Sequence, residues 1–98
     1  MIFHIASTLD WESKKSEPDF IPADFYKEGF IHCCTESQLA GVLERYFNGK
    51  TGLVILHLDQ SKLAAELKFE TSTNNEKFPH LYGAINHDAI VSVIAVDH

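Results

Sequence analysis

The segment from Thr35 to Gly49 constrains the fold of this 98-residue chain more than any other. Thr35 and Gln38 have the spacing of a capping box, in which a hydroxyl and an amide satisfy each other's orphan backbone N–H groups. Leu39, Val42, Leu43, Tyr46 and Phe47 follow at i, i+3, i+4, i+7 and i+8, making one apolar stripe. Asn48-Gly49 supplies the stop. The pattern predicts a helix that buries Leu39, Val42, Leu43 and Phe47 against a sheet. Elsewhere the chain shows only short helical stretches between strand-like runs. One long helix among connections of varied length suits an α+β fold with a mixed, curved sheet better than a doubly wound one.

The other elements read as follows. Residues 2–6 form a strand with Ile2, His4 and Ala6 on one face and Phe3 and Ile5 on the other. Ser7 to Asp10 offers helix caps, and Trp11 begins a short polar helix ending near Ser16. Pro18 and Pro22 mark a loop that runs to about Lys27. Gly29 is a turn glycine leading into a buried strand over Phe30, Ile31, His32 and Cys33. Leu53 to Leu58 is a strand, Asp59 to Ala65 fits one or two helical turns, and Leu67 to Glu70 alternates as a strand. A polar loop covers 71–77. Phe78 to Gly83 is expected to be irregular, because Pro79 cannot donate to a ladder. Asp88 is placed to cap a short turn, and Ile90 to Val96 closes the chain as a strand.

These elements make one domain over 1–98, large enough to bury a core unaided. Hydrophobic residues make up 45% and charged residues 22%, a globular rather than a disordered balance. The net charge of −6 and the lack of a basic run disfavour nucleic acid as a general partner, although a small site can be basic on an acidic protein. No stretch approaches a membrane span or a signal segment. Cys33 and Cys34 are neighbours, so on a strand they point to opposite faces and are poorly placed to bridge each other. Reduced, buried thiols in a cytoplasm are the simplest expectation.

Six histidines are many for a chain of this length. An imidazole titrates near neutrality, binds metals and both donates and accepts hydrogen bonds. A single histidine is most often a satisfied core or surface residue. His57 alternates with apolar neighbours and is expected to face solvent, and His87 and His98 sit near a turn and at the terminus. His32 stands among apolar residues at a strand end just before a helix, where anions bind; the alternative is a ring donating to a nearby carbonyl. His80 lies between Pro79 and Gly83 in a segment that also presents Tyr82, a plausible binding wall; alternatively Phe78, Leu81 and Tyr82 plug the core edge and His80 is incidental. Glu70 ends a strand and could orient an imidazole or act as a base. Trp11 is either a core plug or a stacking surface. His4, His32, His80 and Cys33 could ligate zinc in principle, but no C-x-x-C, H-x-x-x-H or H-x-H spacing exists. A thiol nucleophile at Cys33 or Cys34 competes with the simpler reading of two small packed hydrophobes.

The strings Gly29-Phe30-Ile31-His32-Cys33, Arg45-Tyr46-Phe47 and Phe78-Pro79-His80-Leu81-Tyr82-Gly83, with Gln38 and Glu70, resemble the bacterial family called domain of unknown function 952. The resemblance spans nearly the whole chain, including His4, Trp11 and the Leu53–Leu58 strand. Cys34 stands where that family usually shows Ser, and Ala84 where Pro often follows Tyr-Gly. The order of elements is similar to that of the ADP-ribosyltransferase superfamily. That similarity implies a histidine on the first strand at the nicotinamide ribose, a second-strand aromatic or histidine against nicotinamide, and a late polar residue promoting transfer. By position His4 and His32 fit the first two, and the third is open between His80, Tyr82 and Glu70.

Three functions follow as expectations. The first is an ADP-ribosyl-transfer-type enzyme acting on NAD or a related substrate. Its catalytic candidates are His32, His80 and Glu70, and its ligand-binding candidates are His4, Trp11 and Tyr82. The second is a non-enzymatic module binding a small anion or nucleotide. The third is a metal-dependent hydrolase. In each case the three imidazoles should line one pocket, with Tyr82, Glu70 and Trp11 at its wall. A shared cavity relieves several polar rings of about 1–3 kcal/mol each of unmet hydrogen bonding.

Overall fold

The computed structural model describes residues 1–96, so His98 lies outside the described residues. Strand β1 (Ile2–Ser7) has β5 (Leu53–Leu58) on one side and the short β4 (Cys34–Thr35) on the other. The β1–β5 register runs from Ile2 opposite Leu58 to Ser7 opposite Leu53. Strand β9 (Ile90–Ala95) covers the far edge of β5, giving the order β4-β1-β5-β9. A second sheet places β7 (Lys77–Tyr82) between β3 (Ile31–His32) and β6 (Glu66–Thr71). A two-residue ribbon joins β2 (Asp19–Phe20) to β8 (Ile85–Asn86).

The α+β class holds, but the single mixed sheet does not: three sheets form, and every strand pair among the described residues is antiparallel. The reason lies in β1. Strands β4 and β5 both run antiparallel to it, so they are parallel to each other, and helix α3 (Glu36–Phe47) is the crossover that a parallel pair requires. With β1 seated between them, no parallel contact is made.

The capping box of α3 is present, with the Thr35 N–H donating to Gln38 Oε1 at 3.0 Å. The apolar stripe is only half-buried, and Gln38 is the buried residue of the helix. Leu39 and Val42 rest on a small cluster of Phe3, Cys34 and Phe78, while Val42, Tyr46 and Phe47 border a cleft. The main core lies elsewhere, around Ile2, Phe20, Ile31, Leu56, Leu58, Leu81 and Ile85. Strand alternation explains both cores: Ile2 and Ala6 leave one face of β1 and Phe3 leaves the other.

Helix α1 (Thr8–Lys14) starts from Ser7, whose hydroxyl accepts from the Asp10 N–H at 2.9 Å. The loop after Pro22 holds a single helical turn, α2 (Phe25–Glu28), and the stretch after Asp59 contributes only a 3-10 turn at Gln60–Lys62. The segment around Pro79, expected to be irregular, is instead a central strand. Its proline is tolerated because its carbonyl accepts from the Cys33 N–H at 3.1 Å, so the ring nitrogen faces the same side, away from β6. On that side β3 has already ended at His32. His57 is half-buried rather than solvent-facing, its ring stacked on Phe3 at 4.7 Å and 19°.

Candidate functional site

The chain changes sheets at the residues that matter. Ile31 and His32 pair with Leu81 and His80 of β7, and two residues later Cys34 and Thr35 pair with Phe3 and Ile2 of β1. Gly29 ends α2 with a left-handed φ of 83°, a conformation that favours glycine, and so turns Phe30 inward. The switch brings His4 of one sheet against His32 of the other.

Register then builds one polar face. His32 lies opposite His80, and His80 lies opposite Lys68. The two-residue period adds Phe30, Tyr82 and Glu70 to the same face, while Ile31 and Leu81 turn to the core. Phe30 stacks on the His80 ring at 4.2 Å and 23°, meets the His32 ring edge-on at 4.7 Å, and lies 5.6 Å from the Tyr82 ring. The His32 and His80 rings are 5.6 Å apart and nearly perpendicular.

His4 is buried, and its Nδ1 lies 2.6 Å from the His32 carbonyl oxygen, which makes it the donor. Burial pulls its pKa below the ordinary 6.5, against the opposing pull of that carbonyl. The His32 side chain is exposed by area, yet enough of it is crowded that desolvation also lowers its pKa, with the charge of Glu28 opposing. His80 is only 6% exposed. Its Nδ1 is 3.0 Å from Glu70 Oε1, and the Tyr82 hydroxyl donates to the same oxygen. The hydrogen bond from Tyr82, and then that from His80, hold the Glu70 carboxyl below the usual range. The same bond raises the Tyr82 pKa. His80 Nε2 is buried and has no hydrogen-bond partner among the described residues.

His4, His32 and His80 all line a cleft of about 930 Å³, with Phe30, Val42 and Lys50 among its other walls. That volume lies within the range of small-molecule sites. The expectation of one shared cavity for the three imidazoles is met. The expected walls are corrected. Trp11 does not line the cleft: its ring packs edge-on against the buried Phe20 at 5.3 Å, so it is a core plug. Glu70 and Tyr82 do not line it either. They sit on the Nδ1 side of His80 instead, because Glu70 lies on the neighbouring strand, diagonal to His80. Phe30 was not among the expected site residues. Its signal was present in the sequence: an aromatic two residues before His32 shares its strand face.

The cysteines are free and buried, one in each core cluster. Burial raises both thiol pKa values, that of Cys34 to about 11, which disfavours a nucleophilic thiolate at neutral pH. Among the described residues, no three of His, Cys, Asp or Glu gather where they could hold a metal ion. Nor is any helix among them long and apolar enough to cross a membrane.

Fold and site define a small α+β protein with a histidine-lined cleft where two antiparallel sheets meet. Residues 5–93 match the family described as "Protein of unknown function (DUF952)", and the chain belongs to that family. It is similar to the crystal structure of protein CC0527 from Caulobacter crescentus. The TM-score is 0.88 at 29% identity, over 98% of this chain and 85% of that one. The solution NMR structure of the same protein gives a TM-score of 0.83 at 29% identity, over 98% of this chain and 84% of that one. No curated protein matches the sequence.

Proposed function

We propose that the cleft binds NAD or a related nucleotide and that the protein performs ADP-ribosyl-transfer-type chemistry in a reducing, cytoplasmic setting. The convergence of His4, His32 and His80 from three strands in one cleft carries this reading. The order of elements, similar to that of ADP-ribosyltransferases, supports the choice of ligand. In this reading His4 and His32 hold the nicotinamide ribose end, and Lys50 supplies positive charge at the cleft wall for the phosphates. The late polar group comes from the Glu70, His80 and Tyr82 cluster.

A second reading, a non-enzymatic module for a nucleotide or small anion, is favoured by one observation: Glu70 and Tyr82 lie outside the cleft lining. Thermal shift with NAD and ADP-ribose tests both readings. A ligand at a hundredfold excess over its Kd stabilises the fold by about 2.7 kcal/mol. Stabilisation together with release of nicotinamide from NAD supports the enzyme. Stabilisation without release supports the binding module, and no stabilisation contradicts both. The metal-dependent hydrolase is left without a gathered donor set among the described residues.

A further inference from the structure

We propose that His80 is the catalytic proton acceptor of the cleft and that Glu70 is its positioning residue, fixing the ring so that Nε2 is the accepting atom. The assignment rests on the ADP-ribosyl-transfer reading for the ligand's identity, but its geometry stands independently of it.

The Glu70 carboxyl is held ionised by its two donors and can only accept. The proton between it and His80 therefore sits on Nδ1, at 3.0 Å from Glu70 Oε1. In the neutral ring this leaves Nε2 as a lone-pair acceptor. That atom is the buried side-chain nitrogen left without a partner among the described residues, on a side chain only 6% exposed that borders the cleft. Buried polar atoms are normally satisfied, so an orphan beside a ligand-sized cleft points to a donor supplied by the ligand. The Tyr82 hydroxyl, spent on Glu70, keeps the carboxylate from rotating away. Phe30 is stacked on the face of the ring and so fixes the plane in which a donor must approach Nε2.

The step is a general-base transfer. A water or alcohol hydroxyl of the acceptor gives its proton to His80 Nε2 as its oxygen bonds to the anomeric carbon of the nicotinamide riboside. The carbon–nitrogen bond breaks with its electron pair going to the ring nitrogen, and neutral nicotinamide leaves. Solvent then removes the proton from Nε2. Glu70 stays ionised throughout and never touches substrate. Placement favours His80 among the three candidates the sequence left open: of Glu70, His80 and Tyr82, it alone lines the cleft.

Two-bond 1H–15N NMR of the histidine rings tests the arrangement without any ligand. In the wild-type protein His80 should appear as the Nδ1–H tautomer with Nε2 unprotonated, and in Glu70→Gln that preference should be lost. With NAD as substrate, His80→Gln should lower kcat by roughly 10²–10⁴-fold, the usual contribution of a general base. Glu70→Gln should lower kcat with KM little changed, and Tyr82→Phe should do so less. An Nε2–H tautomer in the wild type overturns the proposal, as does wild-type kcat in a folded His80→Gln or Glu70→Gln. No nicotinamide release from wild type, with the tautomer as expected, sinks the ADP-ribosyl reading and leaves the acceptor in place.

Discussion

His4 sits where its charge is opposed, buried on β1 with Nδ1 committed to the His32 carbonyl. Its folded-state pKa lies below 6.5, chiefly through desolvation, and that of His32 is lowered as well. Below 6.5 the unfolded chain takes up protons before the folded one does, so their contribution to stability is complete above that pH. It is lost progressively as pH falls toward the folded-state values. Glu70, with its pKa held below 4.5, adds a second loss at lower pH, as pH falls through its folded value. Urea midpoints measured from pH 8 to pH 5 should therefore fall with acid, and His4→Gln should flatten the slope; an unchanged slope would contradict the burial argument. At Cys33 and Cys34, buried and with raised pKa values, labelling by a thiol reagent should be slow in the native state and fast in urea. Rapid native labelling would reopen the nucleophile reading. At this scale the sequence was partly legible. The histidines stood out because polar rings in apolar runs need partners. The partners themselves did not, because pairing His80 with Glu70 depends on strand register across a loop.

Helix α3 and strand β7 show what local pattern can and cannot reveal. The helix was readable from its capping box and stripe, since both are encoded within one segment. How deeply the stripe is buried was not, because that depends on the cleft beside Tyr46 and Phe47. Leu56→Ala, in a strand residue with no exposure, should cost about 2–5 kcal/mol. Leu43→Ala, on the half-buried stripe, should cost clearly less; denaturant titration of the two variants side by side checks the order. Gln38 ties the helix to β7, its Nε2 donating to the Lys77 carbonyl at 2.7 Å while its Oε1 accepts from Thr35. Gln38→Ala should destabilise by about 1–2 kcal/mol through the two part-buried hydrogen bonds it loses. For β7 the proline misled, because a missing N–H matters only on a side where a strand would accept it. That side became visible only once β3 was seen to end at His32.

Across the whole molecule, the α+β class followed from one long helix among short strands, whereas the split into three antiparallel sheets did not. That split depends on β1 sitting between β4 and β5, a long-range pairing that no segment encodes alone. The same split creates the site, since residues 31–35 cross from one sheet to the other and carry His32 from the face of His80 to the side of His4. The central claim is that these three imidazoles form one nucleotide-binding site. It is tested most directly by titrating the protein with NAD while following the histidine ring signals by 1H–15N NMR. The account predicts that His4, His32 and His80 shift together along one saturable curve, while His87, which does not line the cleft and bonds to the Glu17 carbonyl, stays in place. Three rings that remain still at saturating NAD, or that move with separate affinities, would contradict it.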